Sequence, residues 1–263
     1  MVRRDHLLRL LGAALLTALV VLLVSCTTED TPNTLSPAGD VARKQRDVFN
    51  LALWPAAVIF VIVEGVLVFA MVRFRSRRGQ GLPRQVHGNT RLEIAWTVAP
   101  AVLLLGLAVP MVAAIADLGR APSKDALQVK VIGRQWIWEF QYPDFKDAQG
   151  NPLSSFTELH IPVGREIAAS LESQDVIHSF WVPRLAGKLD VVPGRTNRFW
   201  FNATEADTYS GQCAEFCGLG HAEMRLVVVA ESEADFQAWV DEQLAKAAGA
   251  GGSREPEAVR QGE

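Results

Sequence analysis

The stretch GQCAEFCGLGHAEM, residues 211–224, sets Cys213 and Cys217 four apart, His221 four later and Met224 three beyond that. Upstream, VIHSFWVP contributes His178. Three chemistries compete for this set. A disulfide explains both cysteines, since paired thiols oxidise outside the cytoplasm, but it leaves two histidines and a methionine as coincidences. A closed tetrahedral zinc site takes Cys213, Cys217, His178 and His221 and has no use for a thioether. Copper accepts all three ligand types, and its mononuclear blue sites set two His, one Cys and a weak axial Met around one ion. The extra cysteine then needs a reason, and two thiolates that each bridge two copper ions supply one. Sharing spreads an unpaired electron over both metals, so each bond changes little on reduction and electrons pass quickly. In that arrangement His178 and His221 serve one ion each, Met224 ligates one weakly, and the carbonyl of Glu215, midway between the sulfurs, can ligate the other.

Such a site needs an exported frame. Residues 1–25 begin with Arg3, Arg4 and Arg9, run uncharged and mostly apolar from 10 to 24, and end in small residues before Cys26, the layout of an export signal. Leu23-Val24-Ser25-Cys26 resembles a bacterial lipobox, which makes Cys26 the lipid-bearing first residue of the mature chain. The polar segment 26–47 reads as a tether. Residues 48–72 and 94–116 are each apolar over more than the roughly 20 residues that about 30 Å of hydrocarbon requires, so 48–117 is expected to be a transmembrane helix hairpin. Pro100 and Pro110 are tolerated where neighbouring helices re-satisfy the backbone. Between the spans, residues 73–92 carry six arginines and no acid. This loop is therefore cytoplasmic, and the rest of the chain lies outside, on the side of Cys26.

From residue 127 the pattern turns to period two. Leu127, Val129 and Val131 alternate with polar residues, and Trp136, Trp138, Phe140 and Tyr142 share one face if the strand continues. Further strands at ELHIPV, REIAASLE, RFWFNAT and MRLVVVAE, with turns at 147–152 and at Pro193-Gly194, predict an all-β Greek-key sandwich over 122–245. SEADFQAWVDEQLAKAA opens on the N-cap residue Ser232 and sets Phe236, Trp239, Val240 and Leu244 at helical spacing. The Gly-rich, charged segment 249–263 predicts a disordered tail. Residues 122–245 hold eighteen acidic against ten basic side chains, a formal charge of −8. That field steers a basic partner, and no nucleic-acid partner is expected.

HSFWVP, PGR and GQCAEFCGLGHAEM, following a two-helix hairpin and a QWIWEF strand, resemble subunit II of cytochrome c oxidase over roughly residues 45–245. All five side-chain ligands sit at the family's spacing. The resemblance implies a cupredoxin-like sandwich behind the transmembrane hairpin, with a binuclear copper A centre on His178, Cys213, Glu215, Cys217, His221 and Met224. It further implies a place in the bacterial cell membrane. Electrons would come from cytochrome c and pass to haem in subunit I, where oxygen is reduced and protons are pumped, with subunit III as a further partner. Quinol-oxidising homologues keep the fold without these ligands.

By the same resemblance the Glu215 carboxylate holds a Mg²⁺ shared with subunit I, Trp136 is where electrons arrive, and Glu93 stands at the mouth of a proton pathway. Asp175 matches a family acid near the histidine ligand. Two departures stand out: Ile137 replaces a frequent aromatic, and Gln174 replaces a second acid, so donor docking relies less on charge here. Glu64, deep in the first span, has no family role. A carboxylate there costs roughly 2.5–3.5 kcal/mol on insertion scales, so it is expected protonated or hydrogen-bonded against subunit I. His6, His87 and His160 match no ligand position. The chain contains no CXXCH haem-attachment motif, so the donor is not fused to it. The alternative function is a membrane-anchored copper-binding or copper-delivery protein outside an oxidase; it calls for an exposed, exchangeable site and has no need of paired membrane helices.

Overall fold

The computed structural model describes residues 33–75 and 88–250, together with Gly12, Leu16 and Thr17 of a separate N-terminal unit, Met1–Thr31. Most of the export segment, Cys26, His6, most of the basic loop with His87, and the tail beyond 250 lie outside the described residues.

Two long helices come first, α1 (Asp40–Arg73) and α2 (Thr90–Leu118), with mean hydropathies of 2.5 and 2.4 in their most apolar stretches. Both are long enough to cross a bilayer. Pro55 lies within α1, and Pro100 and Pro110 within α2. Asn89 caps α2 by accepting from the backbone N–H of Arg91 and Leu92 through its side-chain oxygen, while Glu93 reaches back to accept from the Asn89 N–H at 3.2 Å. The helices meet near the sandwich, where Lys44 pairs with Asp117 and an open cleft of about 380 Å³ separates Val48 and Leu51 from Pro110 and Ala114.

The expected tether ends differently. Helix α1 starts at Asp40, before the apolar run, and its first turn is docked on the sandwich. The Ala38 N–H donates to Arg184 O at 2.7 Å, Asp40 N–H to Asn202 Oδ1 at 2.9 Å and Ala42 N–H to Leu185 O at 3.2 Å. Ala38, Val41 and Ala42 are buried. Polar composition suggested solvent exposure, yet the polar groups here satisfy the donors that every helix start leaves open.

Ten strands form the domain that follows the helices: β1 (Leu127–Arg134), β2 (Ile137–Lys146), β3 (Pro152–Phe156), β4 (Glu158–Pro162), β5 (Ile167–Ser173), β6 (His178–Trp181), β7 (Leu189–Val191), β8 (Asn197–Phe201), β9 (Asp207–Cys213) and β10 (Arg225–Glu231). They make two five-stranded sheets, ordered β3-β2-β1-β5-β8 and β4-β10-β9-β6-β7. Pairs β1/β5 and β4/β10 are parallel and the others antiparallel. Phe180 of the second sheet packs against Trp138, Phe140 and Phe201 of the first, with ring centroids 5.8–6.3 Å apart. Helix α3 (Glu233–Ala250) is capped by Ser232, whose Oγ accepts from Asp235 N–H at 3.1 Å. It lays Phe236 and Val240 into the core, and Trp239 stacks on His160 at 4.2 Å. His160 is thus a packing residue of β4.

One strand expectation fails where it matters most. The strand does not continue from 127 to 142: the chain reverses at Gln135-Trp136, and β1 pairs antiparallel with β2 in the register Arg134↔Ile137 and Gly133↔Trp138. Trp138, Phe140 and Tyr142 are fully buried, whereas Trp136 is 39% exposed. A tight reversal takes Trp136 off the aromatic face.

Candidate metal centre

Neighbouring strands deliver the ligand types to one end of the second sheet. Cys213 closes β9 opposite Phe180, and His178 opens β6 two residues earlier. The connection from β9 to β10 then folds back, so that the Cys213 N–H donates to Met224 O at 2.9 Å and the Ala214 N–H to Ser179 O at 2.9 Å. A short 3₁₀ turn, His221–Glu223, carries the second histidine.

His178, Cys213, Cys217 and Met224 are almost wholly buried, and His221 is half-buried. The two sulfurs stand 3.8 Å apart as free thiols, far beyond the roughly 2.05 Å of a disulfide. Cys213 Sγ lies 4.0 Å from His178 Nδ1 and 3.2 Å from Glu215 O. Cys217 Sγ lies 3.7 Å from His221 Nδ1 and 3.8 Å from Met224 Sδ. Ligand atoms roughly 2.0–2.3 Å from a shared ion in tetrahedral geometry fall about 3.3–3.8 Å apart, so the spacing suits metal. His178, Cys213 and Cys217 form a candidate metal site, and the donor set of soft sulfurs and imidazoles fits copper.

The electrostatics favour a cation. Burial alone would raise the Cys213 thiol, but hydrogen bonds involving His178 and the backbone at Glu215 and Ser179 lower it to about 6. Burial, and then the charge on Cys213, push Cys217 up to about 12. His178 is raised: burial works against its charge and is outweighed by its bonds to Cys213 and Asp175. Asp175 is lowered, burial being outweighed by His178 and by the backbone N–H groups of Gln135 and Val176.

Trp136 lies directly over the cysteine loop. Its Nε1–H donates to Cys217 O at 3.1 Å, and Gln135 Nε2 donates to the same carbonyl at 2.7 Å. Glycines permit this closeness. A Cβ at Gly220 would sit 2.5 Å from the indole, and Gly218, at φ +116°, would press a Cβ to 2.9 Å from Gln135 Nε2. On the other flank, an open cleft of about 530 Å³ is lined by Trp181, Lys188, Gln212, Cys213, Ala214 and His221.

The remaining sequence candidates stand apart. The exposed Glu215 carboxylate lies 3.8 Å from Lys188 Nζ, and among the described residues it is not part of a cluster of three or more metal-ligating side chains. This chain alone does not build a Mg²⁺ site there. Glu93 is far along the chain at the start of α2, engaged in its cap.

Family profiles described as the cytochrome c oxidase subunit II transmembrane domain and periplasmic domain match residues 33–113 and 147–231. Cytochrome c oxidase subunit 2 of Bacillus subtilis is 38% identical over 245 residues, covering 87% of this chain and 67% of that one.

The chain belongs to the cytochrome c oxidase subunit II family.

It spans about two thirds of the length of the curated relatives it matches first. Quinol oxidase subunit 2 of Bacillus spizizenii is also similar, 33% identical over 88% of this chain and 71% of that one. Among solved structures, the periplasmic domain of subunit II of cytochrome oxidase from Bradyrhizobium japonicum is 30% identical, covering 48% of this chain and 99% of that one, with a TM-score of 0.44. The subunit II assignment makes this a membrane protein of a haem-copper oxidase. Sequence reasoning missed Gln135, Gly218 and Gly220 at the site. The two glycines flanking Leu219 were the available signal, since glycines packed beside ligand cysteines mark a close approach.

Proposed function

We propose that the chain accepts single electrons from cytochrome c at a two-copper centre and passes them to haem in subunit I, where oxygen is reduced to water and protons are translocated. The observation that carries this reading is the convergence of two unbonded cysteine sulfurs with His178, His221, Met224 and the Glu215 carbonyl, each 3.2–4.0 Å from one of those sulfurs. A copper pair bound there supplies a one-electron store spread over two nuclei. Cys213, Cys217, His178, His221, Met224 and the Glu215 carbonyl would hold that pair, the two thiolates supplying the negative charge and the imidazoles, thioether and carbonyl completing the donor set. The buried sulfurs, Met224 and His178 exclude water and keep the ligand frame rigid. Trp136, exposed on one side and bonded to Cys217 O on the other, receives the electron. Half-buried His221 borders the open cleft.

The basic loop between α1 and α2 is cytoplasmic and the sandwich faces outward, with Cys26 lipidated on the outer leaflet. Glu93 opens a proton path into subunit I from the inner side. No step is assigned to Mg²⁺ at Glu215. The copper-delivery alternative is disfavoured by the burial of both cysteines and His178, because a delivery site needs exchangeable, accessible ligands. Rapid mixing of the assembled oxidase with reduced cytochrome c, and separately with a quinol, tests the donor. Reduction of the copper absorption by cytochrome c at the fastest phase is expected. Reduction by quinol alone would overturn the reading.

A further inference from the structure

We propose that Asp175 is a positioning residue that ties the turn carrying Trp136 to the metal ligand His178. The proposal rests on the functional reading above and gives a new role to a side chain expected to be a docking acid. Its oxygens face inward. Oδ1 accepts from His178 Nε2 at 2.8 Å and from the Val176 N–H at 2.6 Å; Oδ2 accepts from the Gln135 N–H at 2.7 Å. The carboxylate is 29% exposed, and three donors take three of its roughly four acceptor positions.

Each bond has a consequence. His178 presents Nδ1 to Cys213 Sγ, so the Asp175 bond at Nε2 fixes which ring nitrogen keeps its hydrogen. A carboxylate on the far nitrogen of a ligating histidine orients the ring and makes it a stronger donor to metal. The ring has little other freedom, being packed against Gly133, where a Cβ would lie 3.0 Å from His178 Cδ2, and against Trp138. The second oxygen holds the Gln135-Trp136 turn, which belongs to the β1–β2 connection and not to the β5–β6 loop that carries Asp175.

That loop is itself braced. Gln174 N–H donates to Gly133 O at 3.1 Å, Asp175 N–H to Ser173 Oγ at 3.2 Å, and Ser173 Oγ–H to Val176 O. The turn is thus attached to the centre twice: through Asp175 to His178, and through Gln135 Nε2 and Trp136 Nε1 to Cys217 O. Two ligands that the fold places on different elements hold one indole in register. Losing the carboxylate frees the turn on one side and weakens the imidazole as a ligand on the other.

The experiment compares wild type with Asp175→Asn and Asp175→Ala in the full chain within the assembled oxidase. Asp175→Asn, nearly equal in shape, is expected to keep the copper pair, lower copper affinity roughly 10–100-fold and raise the reduction potential, because the oxidised state loses an anionic partner. Turnover with cytochrome c should fall in kcat, with KM and its salt dependence unchanged. Unchanged potential and affinity, with a higher KM and a flatter salt dependence, would overturn the proposal and make Asp175 a docking acid. Hydrogen–deuterium exchange gives a readout independent of copper: in the metal-free full chain, the Gln135 amide should exchange roughly tenfold faster in Asp175→Ala. Unchanged exchange would overturn the tie. A wild-type chain that binds no copper pair would defeat the functional reading, and the exchange result would still decide the tie by itself.

Discussion

The sandwich and the helical hairpin treat their large apolar side chains in opposite ways. Trp138, Phe140, Phe180 and Phe201 are closed inside the sandwich, while Trp54, Phe60, Phe69 and Trp96 stand out from α1 and α2 at 61–69% exposure. Apart from Ala38 and Val41 at the start of α1, the sandwich supplies its own core, so the geometry of its metal centre is fixed within this chain. The hairpin is apolar on nearly every face, the mark of a helix finished by lipid or by neighbouring helices. Chemistry sits in the self-sufficient region and anchoring in the one that needs partners.

The largest expected effect breaks that contrast directly. Phe180→Ala should destabilise the sandwich by about 3–5 kcal/mol, measured by denaturant unfolding, whereas Trp54→Ala should leave the same transition within about 0.5 kcal/mol. Equal effects would mean that the hairpin shares the core. Next, Cys217→Ser should remove the two-ion spectrum with little change in the unfolding of the metal-free domain; metal analysis and thermal denaturation on one sample separate the two. A smaller effect is expected from Gly220→Val, whose side chain would collide with the Trp136 indole. Electron acceptance from cytochrome c should slow roughly tenfold with the copper absorption retained, and Trp136→Ala should behave alike.

Met224→Leu comes after these: it should keep both ions and shift the potential, since a thioether is a weak, tuning ligand. An unaltered potential would make Met224 a packing residue only. The mildest change is with acid. Arg120 bonds Glu166, and Lys130 bonds Glu172, holding both carboxyls below their usual 4.5. A lowered folded value means their contribution is complete above the unfolded value and is lost as pH falls from about 4.5 through the depressed one. Acid titration of sandwich stability should therefore weaken in that window, and charge-neutral replacements at both sites should flatten it.

Much of this was legible in the sequence because the deciding features are local. The spans of α1 and α2 follow from apolar length, the Ser232 cap from a single hydroxyl, and the cysteine loop from its spacing. Five of the ten strands, β1, β4, β5, β8 and β10, coincide with runs read from the sequence. Others were hidden for physical reasons: β7 is three residues long, and β9 alternates but has Gly211, with no side chain, at one of its buried positions. The start of α1 was masked because Asp40 and its neighbours are polar, and only the distant Asn202 and Leu185 make that polarity useful. Trp136 was misplaced because periodicity cannot see a chain reversal that lacks a glycine or proline. Its contact with Cys217 O, like the bond from Asp175 to Gln135, is made by tertiary packing between segments far apart in sequence.

Metal analysis with electron paramagnetic resonance on the full chain, loaded with copper under reducing conditions and then oxidised by one electron, tests the central claim most directly. Two coppers per chain, with one unpaired electron coupled equally to both nuclei, is the result the account predicts. A single copper with its electron on one nucleus, or a zinc ion in the natively assembled protein, would contradict it.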